Sequence, residues 1–538
     1  MKPPDSRRDA RKLMTDRDTS RSPLHERRAG VCLHVSALPG PFGIGELGAS
    51  ARAFLDAMQD MRLGVWQFLP LGPTAYGDSP YQPLSTFAGN EMLIDMGDLA
   101  DRGLLDVDEL APLTALPDDH VDFGTLIPQK SQLLDTAARR FAAQSSPRQQ
   151  AAFAAFVDAN DALWLHDYAM FRILKARHEA RPWPEWERRF RQRDPRALEE
   201  LAATAAADIN AIKVQQFLFH EQWLALRTHA RKRGVALFGD MPIYIALDSA
   251  DAWARPQILR IDADGQPDFV AGVPPDYFSE DGQLWGNPLY AWQHHAACGY
   301  RWWIDRIRAA LALMDIVRID HFRGFAGYWA VPADASTARD GAWETGPGSA
   351  LFDALRAELG EVPIVAEDLG VITPDVVALR KSQHLPGMRV LQFEIADPEF
   401  RLDSIETDSV CYTGTHDNDT TAGWFHGGPG DTRSEAEIAT TRQAALNLTL
   451  GSPETIHLDL VRLALASNAR LAMVPMQDFL GLGSEARFNT PGTSAGNWRW
   501  RLKAPQLTTE LCDNVAGMVR NSGRSPDDPA TPDTRDAP

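Results

Sequence analysis

The chain has 538 residues and a formal net charge of −19, with 73 acidic against 54 basic side chains. This balance argues against a nucleic acid or an anionic membrane as a partner, because both require a basic surface. Neutral small molecules and neutral polymers remain possible ligands. The 15 tryptophans favour sugars, whose apolar ring faces fit flat indoles, although core packing accounts for most tryptophans in any protein.

Both ends of the chain are predicted to be disordered. Residues 1–28 are polar and mixed in charge, and residues 506–538 form a C-terminal end that turns into a Pro/Asp/Ser tract from about residue 521. Neither tail can bury enough apolar surface to offset the entropy lost on ordering. No stretch approaches the roughly 18 apolar residues of a membrane-spanning helix. Four cysteines without CxxC spacing are typical of reduced thiols, so we expect a cytoplasmic protein.

Eight short apolar segments, rich in β-branched or aromatic residues, predict β-strands. They lie at residues 31–34, 63–69, 235–245, 315–325, 363–370, 388–395, 409–419 and 471–479. Helical patterns at residues 300–312 and 349–358 have the spacing of crossover helices that pack outside a parallel sheet. The sequence therefore predicts an α/β fold, a (β/α)8 TIM barrel.

The chain is long for a bare barrel of roughly 250 residues, so an insertion is expected. We expect strands one and two with their mouth loops in residues 29–100 and the rest of the barrel in residues 234–505. Residues 101–233, between strands two and three, carry segments that predict helices, such as 199–206 and 217–226. This helical subdomain either borders the active-site face or is a scaffold without ligand contact.

In three of the predicted strand segments, charged side chains come directly after the apolar residues. The segments are DIVRIDHFRGF with Asp320, PIVAEDLG with Glu367 and SVCYTGTHDND with Asp417. A charge at a buried strand end is costly unless it is paired or functional, and a structural ion pair is the alternative for any one segment. The steps between the three carboxylates are 47 and 50 residues, each long enough for a strand, a helix and their loops. This regular recurrence indicates an active site at the C-terminal face of a barrel.

The motif GIGELG at residues 43–48 has the GxGxxG spacing of a dinucleotide site. Its context is wrong, because eight residues with two prolines separate it from the preceding strand, and no acidic residue ends the next strand to bind a ribose. A glycine-rich loop at the barrel mouth is the better interpretation.

Three carboxylates around one cavity suggest chemistry at a glycosidic bond. Asp320, held ionised by Arg318, suits a nucleophile. Glu367 lies in an apolar run that raises its pKa, so it suits the proton donor. Asp417, beside His416, would bind sugar hydroxyls and favour a distorted ring.

The chain also resembles the amylomaltases, the 4-α-glucanotransferases or disproportionating enzymes of glycoside hydrolase family 77, from about residue 30 to 502. The shared motifs are long and occur in order: LPGPFGIGELG, LPLGPTAYGDSPYQ, GDMPIYIALDSADAW, VAGVPPDYFSEDGQLWGNPLY, VRIDHFRGF, VAEDLG, GTHDNDTTAGW and GLGSEARFNTPGTSAGNWRWRL. The resemblance implies a retaining transferase that acts on maltooligosaccharides and 1,4-α-glucans, with glucose as an acceptor or product and with neither cofactor nor metal.

The resemblance implies that Asp320 is the nucleophile, Glu367 the acid/base and Asp417 the transition-state stabiliser. The residues it implies for substrate binding are Arg318, His321, His416, Ser79, Tyr81, Asp276, Tyr277, Phe278, Glu280 and Trp285.

Three other functions are compatible with parts of the sequence. An α-glucan hydrolase of the α-amylase type would use the same carboxylates. A glucan-binding protein without activity would have no reason to keep all three. A metal-dependent barrel hydrolase would need histidine pairs at strand ends, whereas His34, His321 and His416 lie singly.

Residues 271–290 predict a lid loop at the active-site mouth, with glycine and proline hinges and an aromatic centre. Such a lid can exclude water and hold a sugar acceptor by its ring faces. Tyr277 and Phe278 could instead pack as ordinary loop anchors.

Replacing both Tyr277 and Phe278 by alanine should raise the ratio of hydrolysis to transfer, because water would gain access to the covalent intermediate. Chromatography of the products formed from maltotriose measures this ratio. A ratio equal to that of the unmodified chain would remove the lid from the explanation of transfer.

Overall fold

A computed structural model describes residues 22–275, 280–428, 430–493 and 495–526. Eight parallel strands form one sheet in the order β10-β11-β12-β1-β2-β3-β6-β9. In chain order the strands are β1 Arg28–Cys32, β2 Val65–Gln67, β3 Ala236–Pro242, β4 Phe269–Val273, β5 Gln283–Pro288, β6 Ile316–Asp320, β7 Gly327–Pro332, β8 Ala342–Thr345, β9 Ile364–Ala366, β10 Gly387–Val390, β11 Ser409–Tyr412 and β12 Leu471–Pro475.

The sheet closes nearly into a barrel. Its two end strands, β9 and β10, are joined by a hydrogen bond from the Ala366 amide to the Pro386 carbonyl at 2.9 Å and by one from the Met388 amide to Asp368 Oδ1 at 2.7 Å. The interior is filled by a fully buried cluster that includes Ile316, Val365 and Met388. This arrangement confirms the expected (β/α)8 barrel.

Helices surround the strands. The α-helices of the described residues span Ala49–Asp60, Met96–Asp101, Ala111–Thr114, Phe123–Gln144, Pro147–Asn160, His166–Arg177, Arg188–Arg191, Pro195–Thr204, Ala206–Lys232, Ala250–Ala254, Trp292–Ala297, Arg301–Leu313, Ser349–Leu359, Pro374–Ser382, Leu391–Glu394, Thr421–His426, Glu435–Thr449, Ile456–Ala466, Met476–Phe479 and Thr509–Asn521. The helices predicted at residues 300–312 and 349–358 correspond to Arg301–Leu313 and Ser349–Leu359. In the described residues no helix is both long enough and apolar enough to cross a membrane.

The segment between β2 and β3 is mainly helical, but its last helix belongs to the barrel wall. In helix Ala206–Lys232, Trp223 Nε1 donates to the Leu313 carbonyl at 2.8 Å and Arg227 pairs with Asp315 at 2.8 Å. This helix therefore packs on the residues that lead into β6, as a crossover helix does. That the remaining helices form a separate subdomain stays a prediction.

A second sheet, of antiparallel strands in the order β5-β4-β7-β8, was not predicted. Strands β4 and β5 pair with each other across part of the expected lid loop 271–290, so part of this segment is a β-hairpin, and its role as a lid stays a prediction. Pairing with β7 buries Val270 against Val331, which gives this segment an apolar anchor that a free loop lacks. Residues 276–279 lie outside the described residues.

Two predicted strands turn into helices before their expected ends. The segments 388–395 and 471–479 end as strands at Val390 and Pro475 and continue as the short helices Leu391–Glu394 and Met476–Phe479. A continuous apolar run fits a buried strand and a buried helical turn equally well, so periodicity alone does not find the boundary.

The expected tail boundaries are also wrong. Residues 23–25 form a 3-10 turn that buries Leu24, and Arg28 begins β1. At the other end, Arg524 is fully buried. Its guanidinium donates to the carbonyls of Arg28, Leu465, Ser467, Ala469 and Arg470. Buried contacts of this kind offset the ordering entropy that the composition of these residues alone would not overcome.

Candidate active site

The alternation of strand β6 carries side chains from the core to the barrel mouth. Ile316, Arg318 and Asp320 are two residues apart and therefore share one face of the strand. Ile316 is in the interior cluster, Arg318 is buried above it, and the side chain of Asp320 is 31% exposed at the strand end. The strand that looked like a core element thus delivers one charge inside the barrel and one at its opening.

Arg318 is shared between two carboxylates. Its Nη2 lies 2.9 Å from Asp320 Oδ1, and its Nη1 donates to Asp240 Oδ2 at 2.6 Å. Asp240 stands opposite Arg318 in the register of β3 and β6. Burial acts to lower the pKa of Arg318, but Asp240 and Asp320 raise it well above its ordinary value. The guanidinium therefore stays charged inside the barrel.

Burial raises the pKa of Asp320 to about 6, with Arg318 opposing this rise and Asp240 and Asp417 adding to it. Arg318 thus favours the ionised form of a carboxylate that burial would otherwise neutralise. An ionised carboxylate that is partly exposed at a strand end is suited to nucleophilic attack.

Glu367 follows β9 and is held by the turn after β6. Its Oε2 accepts from the His321 amide at 2.7 Å and its Oε1 from the Leu369 amide at 2.9 Å. His321 has a φ of 54°, in the left-handed region that non-glycine residues seldom occupy. Burial raises the pKa of Glu367 to about 7, against the lowering influence of Arg318. A raised pKa is what the apolar sequence before Glu367 predicts.

Asp320 and Glu367 occupy adjacent positions on neighbouring strands. Ile319 pairs with Ala366 in the β6–β9 register. The next residue along β6 is Asp320, and the residue that follows β9 is Glu367. Neighbouring strands lie roughly 4.8 Å apart. Both side chains therefore lie on neighbouring strands at the barrel opening, close enough for the charge of Asp320 to raise the pKa of Glu367.

Asp417 follows β11 and is fixed by a loop beyond β12. Asn489 Nδ2 donates to Asp417 Oδ1 at 2.6 Å. One guanidinium, that of Arg487, donates to the Asp417 carbonyl at 2.8 Å and to the Asn489 carbonyl at 2.8 Å. Arg487 thus clamps together the two residues that make the carboxylate contact.

Tyr81 connects Asp240 to the histidine beside Asp417. Its hydroxyl donates to Asp240 Oδ2 at 2.7 Å and lies 2.8 Å from His416 Nε2, and its ring stacks on the His416 ring at 5.2 Å. Since the hydroxyl has a single proton, His416 Nε2 must be the donor in the second contact. Burial lowers the pKa of His416, although Asp417 opposes this, so the ring is neutral with its proton on Nε2.

The other predicted binding residues differ in their positions. Ser79 Oγ accepts from the Tyr81 amide at 3.2 Å and so fixes the turn that presents Tyr81. The Trp285 ring stands perpendicular to the His321 ring at 4.7 Å. Glu280 is exposed and pairs with Arg339 at 2.9 Å, so its side chain is not brought to the carboxylates. Asp276, Tyr277 and Phe278 lie outside the described residues.

The sequence did not single out Asp240, Arg487 or Asn489. Asp240 precedes Met241 and Pro242 within the predicted third strand, and a carboxylate at that strand end was a usable signal. Arg487 and Asn489 lie in a loop after β12 without strand periodicity, and only the folded chain brings them to Asp417. Within the described residues, no group of three or more His, Cys, Asp and Glu side chains is placed to hold a metal ion.

Comparison with known proteins gives consistent matches. Residues 33–508 match the sequence profile of glycoside hydrolase family 77, described as 4-alpha-glucanotransferase. The chain is 46% identical over 503 residues to the 4-alpha-glucanotransferase of Thermus thermophilus, covering 93% of this chain and 99% of the relative. It is 44% identical over 508 residues to that of Synechocystis, at 93% and 99% coverage. Amylomaltase from Streptococcus agalactiae, solved in complex with acarbose, has a TM-score of 0.87 at 34% identity and covers 93% of this chain and 100% of its own.

The tautomer of His416 is directly measurable. Because Tyr81 donates to Asp240, we expect His416 to be neutral near pH 7 with its proton on Nε2. Long-range proton–nitrogen correlation spectra of protein labelled with nitrogen-15 in histidine distinguish the two tautomers, and a His416→Gln variant assigns the signals. A proton on Nδ1 would show that Tyr81 donates to His416, and the direction of the hydrogen bonds described above would then be wrong.

Proposed function

Because the chain belongs to glycoside hydrolase family 77, the 4-α-glucanotransferases, we propose that it transfers a segment of a 1,4-α-glucan to the 4-hydroxyl of glucose or of another 1,4-α-glucan. The donors and acceptors are maltooligosaccharides, and glucose is either an acceptor or a product. The reaction retains the anomeric configuration and passes through a covalent glycosyl ester of Asp320.

The adjacency of Asp320 and Glu367 carries this proposal. A retaining mechanism needs a nucleophile and an acid/base about 5 Å apart, and the β6–β9 register supports that spacing. The two groups also have different environments. Arg318 contacts Asp320 at 2.9 Å, whereas two backbone amides hold Glu367.

In the first step Glu367 is the acid. It gives its proton to the oxygen of the glycosidic bond while a carboxylate oxygen of Asp320 attacks the anomeric carbon. The bond to the leaving sugar breaks, and the leaving segment departs with a free 4-hydroxyl. Glu367, now ionised, is ready to act as the base.

In the second step the 4-hydroxyl of an acceptor gives its proton to Glu367 and attacks the same carbon. The ester bond to Asp320 breaks and the carboxylate is restored. Two inversions give net retention. A pKa of about 7 for Glu367 suits a group that must donate and accept a proton within one cycle near neutral pH.

Asp417, His416 and Arg318 are assigned to the sugar at the reacting position. Asn489 and Arg487 fix Asp417, so its second oxygen can accept hydrogen bonds from sugar hydroxyls. Such bonds strengthen as the ring flattens toward the oxocarbenium-like transition state.

An α-glucan hydrolase is the alternative, since water could take the place of the acceptor hydroxyl. The perpendicular contact of Trp285 with His321 favours transfer. It places an aromatic ring beside His321, the residue whose amide holds Glu367, where an acceptor sugar can stack and displace water.

Incubation with maltotriose tests both the reaction and its nucleophile. The unmodified enzyme should yield glucose together with maltooligosaccharides longer than maltotriose on thin-layer chromatography. Asp320→Asn should lower this activity by roughly 10³-fold or more, because the ester cannot form.

Asp334→Asn is the matched control, because Asp334 is exposed in the loop after β7 and its loss should leave activity unchanged. Reducing-end growth without longer products would instead support the hydrolase. Full activity in Asp320→Asn would exclude the proposed mechanism.

A further inference from the structure

Several large apolar side chains are exposed at the surface. Among the described residues, the large apolar side chains with high exposure are Val107, Leu284, Trp343, Val371, Phe393 and Leu450. Most of them lie in segments that follow the C-terminal ends of barrel strands: Leu284 after β3, Trp343 after β6, Val371 after β9 and Phe393 after β10. Apolar side chains that remain exposed close to a reaction site are candidates for ligand contacts.

Trp343 and Val371 are held next to each other by one side chain. The Arg323 guanidinium carbon lies 3.9 Å from the Trp343 ring centroid, and Arg323 Nη1 donates to the Val371 carbonyl. Arg323 itself is 6% exposed. Two exposed apolar residues from different βα segments therefore meet at one buried guanidinium, and we call this pair the patch.

The patch is rigid and close to the reacting carboxylates. The Trp343 ring packs edge-on against Trp329 at 5.2 Å, and β8 pairs with β7 on both sides of it. Arg323 is three residues beyond Asp320, and Val371 is four residues beyond Glu367. The indole is therefore fixed in place, while 45% of Trp343 remains exposed to solvent.

The size of the patch decides what it binds. A whole tryptophan side chain offers roughly 150–250 Å², so the exposed parts of Trp343 and Val371 fall far short of the about 800 Å² that each partner buries in a stable protein interface. A second copy of this chain or another protein is thus a poor occupant. A flat, half-exposed indole in a glucan-transferring enzyme instead fits the apolar face of a sugar ring.

We propose that Trp343 and Val371 bind glucose units of the acceptor glucan beyond the unit that reacts. This inference rests on the proposed function, since the side of the cleft is set by Glu367. Glu367 protonates the departing oxygen and later deprotonates the acceptor, so the rim next to it receives the acceptor chain. The acceptor is a neutral 1,4-α-glucan long enough to reach the patch, and glucose is too short.

The test compares a long and a short acceptor with one donor. α-Maltosyl fluoride is the donor, because its fluoride leaves the acceptor side of the cleft open. Transfer to glucose and to maltopentaose is measured separately. Trp343→Ala should raise KM for maltopentaose by about tenfold, the loss typical of one aromatic stacking contact, and leave KM for glucose within about twofold.

Two further variants complete the test. Trp343→Phe keeps a ring and should recover most of the affinity for maltopentaose. Leu450→Ala removes an exposed apolar side chain between helices Glu435–Thr449 and Ile456–Ala466. It should leave KM unchanged for both acceptors.

The outcomes separate this inference from the proposed function. In Trp343→Ala, an equal rise of KM for both acceptors, or an unchanged KM for maltopentaose, would overturn the proposed acceptor site. The proposed function would stand in either case, because the unmodified enzyme would still transfer. Failure of the unmodified enzyme to transfer to either acceptor would instead overturn the proposed function.

Discussion

The sharing of Arg318 between Asp240 and Asp320 is the contact on which the rest of the site depends. A lone guanidinium inside a barrel would be prohibitively costly, and so would two lone carboxylates. Together they form a compensated group, with contacts of 2.6 and 2.9 Å to the arginine. This group lets a buried strand end in a carboxylate whose ionised form Arg318 favours and which is partly exposed at the barrel mouth.

From this centre two series of contacts extend around the barrel mouth. One passes through Asp240 and Tyr81 to His416, which adjoins the third carboxylate, Asp417. The other is the β6 turn, where the His321 amide holds Glu367. Each series joins residues from different strands, so the barrel closure between β9 and β10 is a condition for the geometry of the site. The candidate catalytic side chains lie at strand ends and in the loops that follow, and the parallel strands set their spacing.

Much of the barrel follows from local pattern. Asp320, Glu367 and Asp417 could be proposed as site residues because each ends an apolar run and the three recur at regular steps. The ends of two strands at Val390 and Pro475 could not be predicted, because buried helical turns and buried strands have the same composition. The β4–β5 hairpin and the burial of Arg524 depend on partners far away in the chain. Asn489 and Arg487 were missed for the same reason, since their role exists only once the loop after β12 meets Asp417.

The central claim is that Asp320 forms a covalent bond with the sugar. The direct test incubates a Glu367→Gln variant with α-maltosyl fluoride, which needs no acid to lose fluoride but leaves the ester without a base to assist its breakdown. Intact-protein mass spectrometry should show one added maltosyl group, and peptide mapping should place it on Asp320. A sugar attached to another residue, or release of fluoride without any labelled protein, would contradict the account.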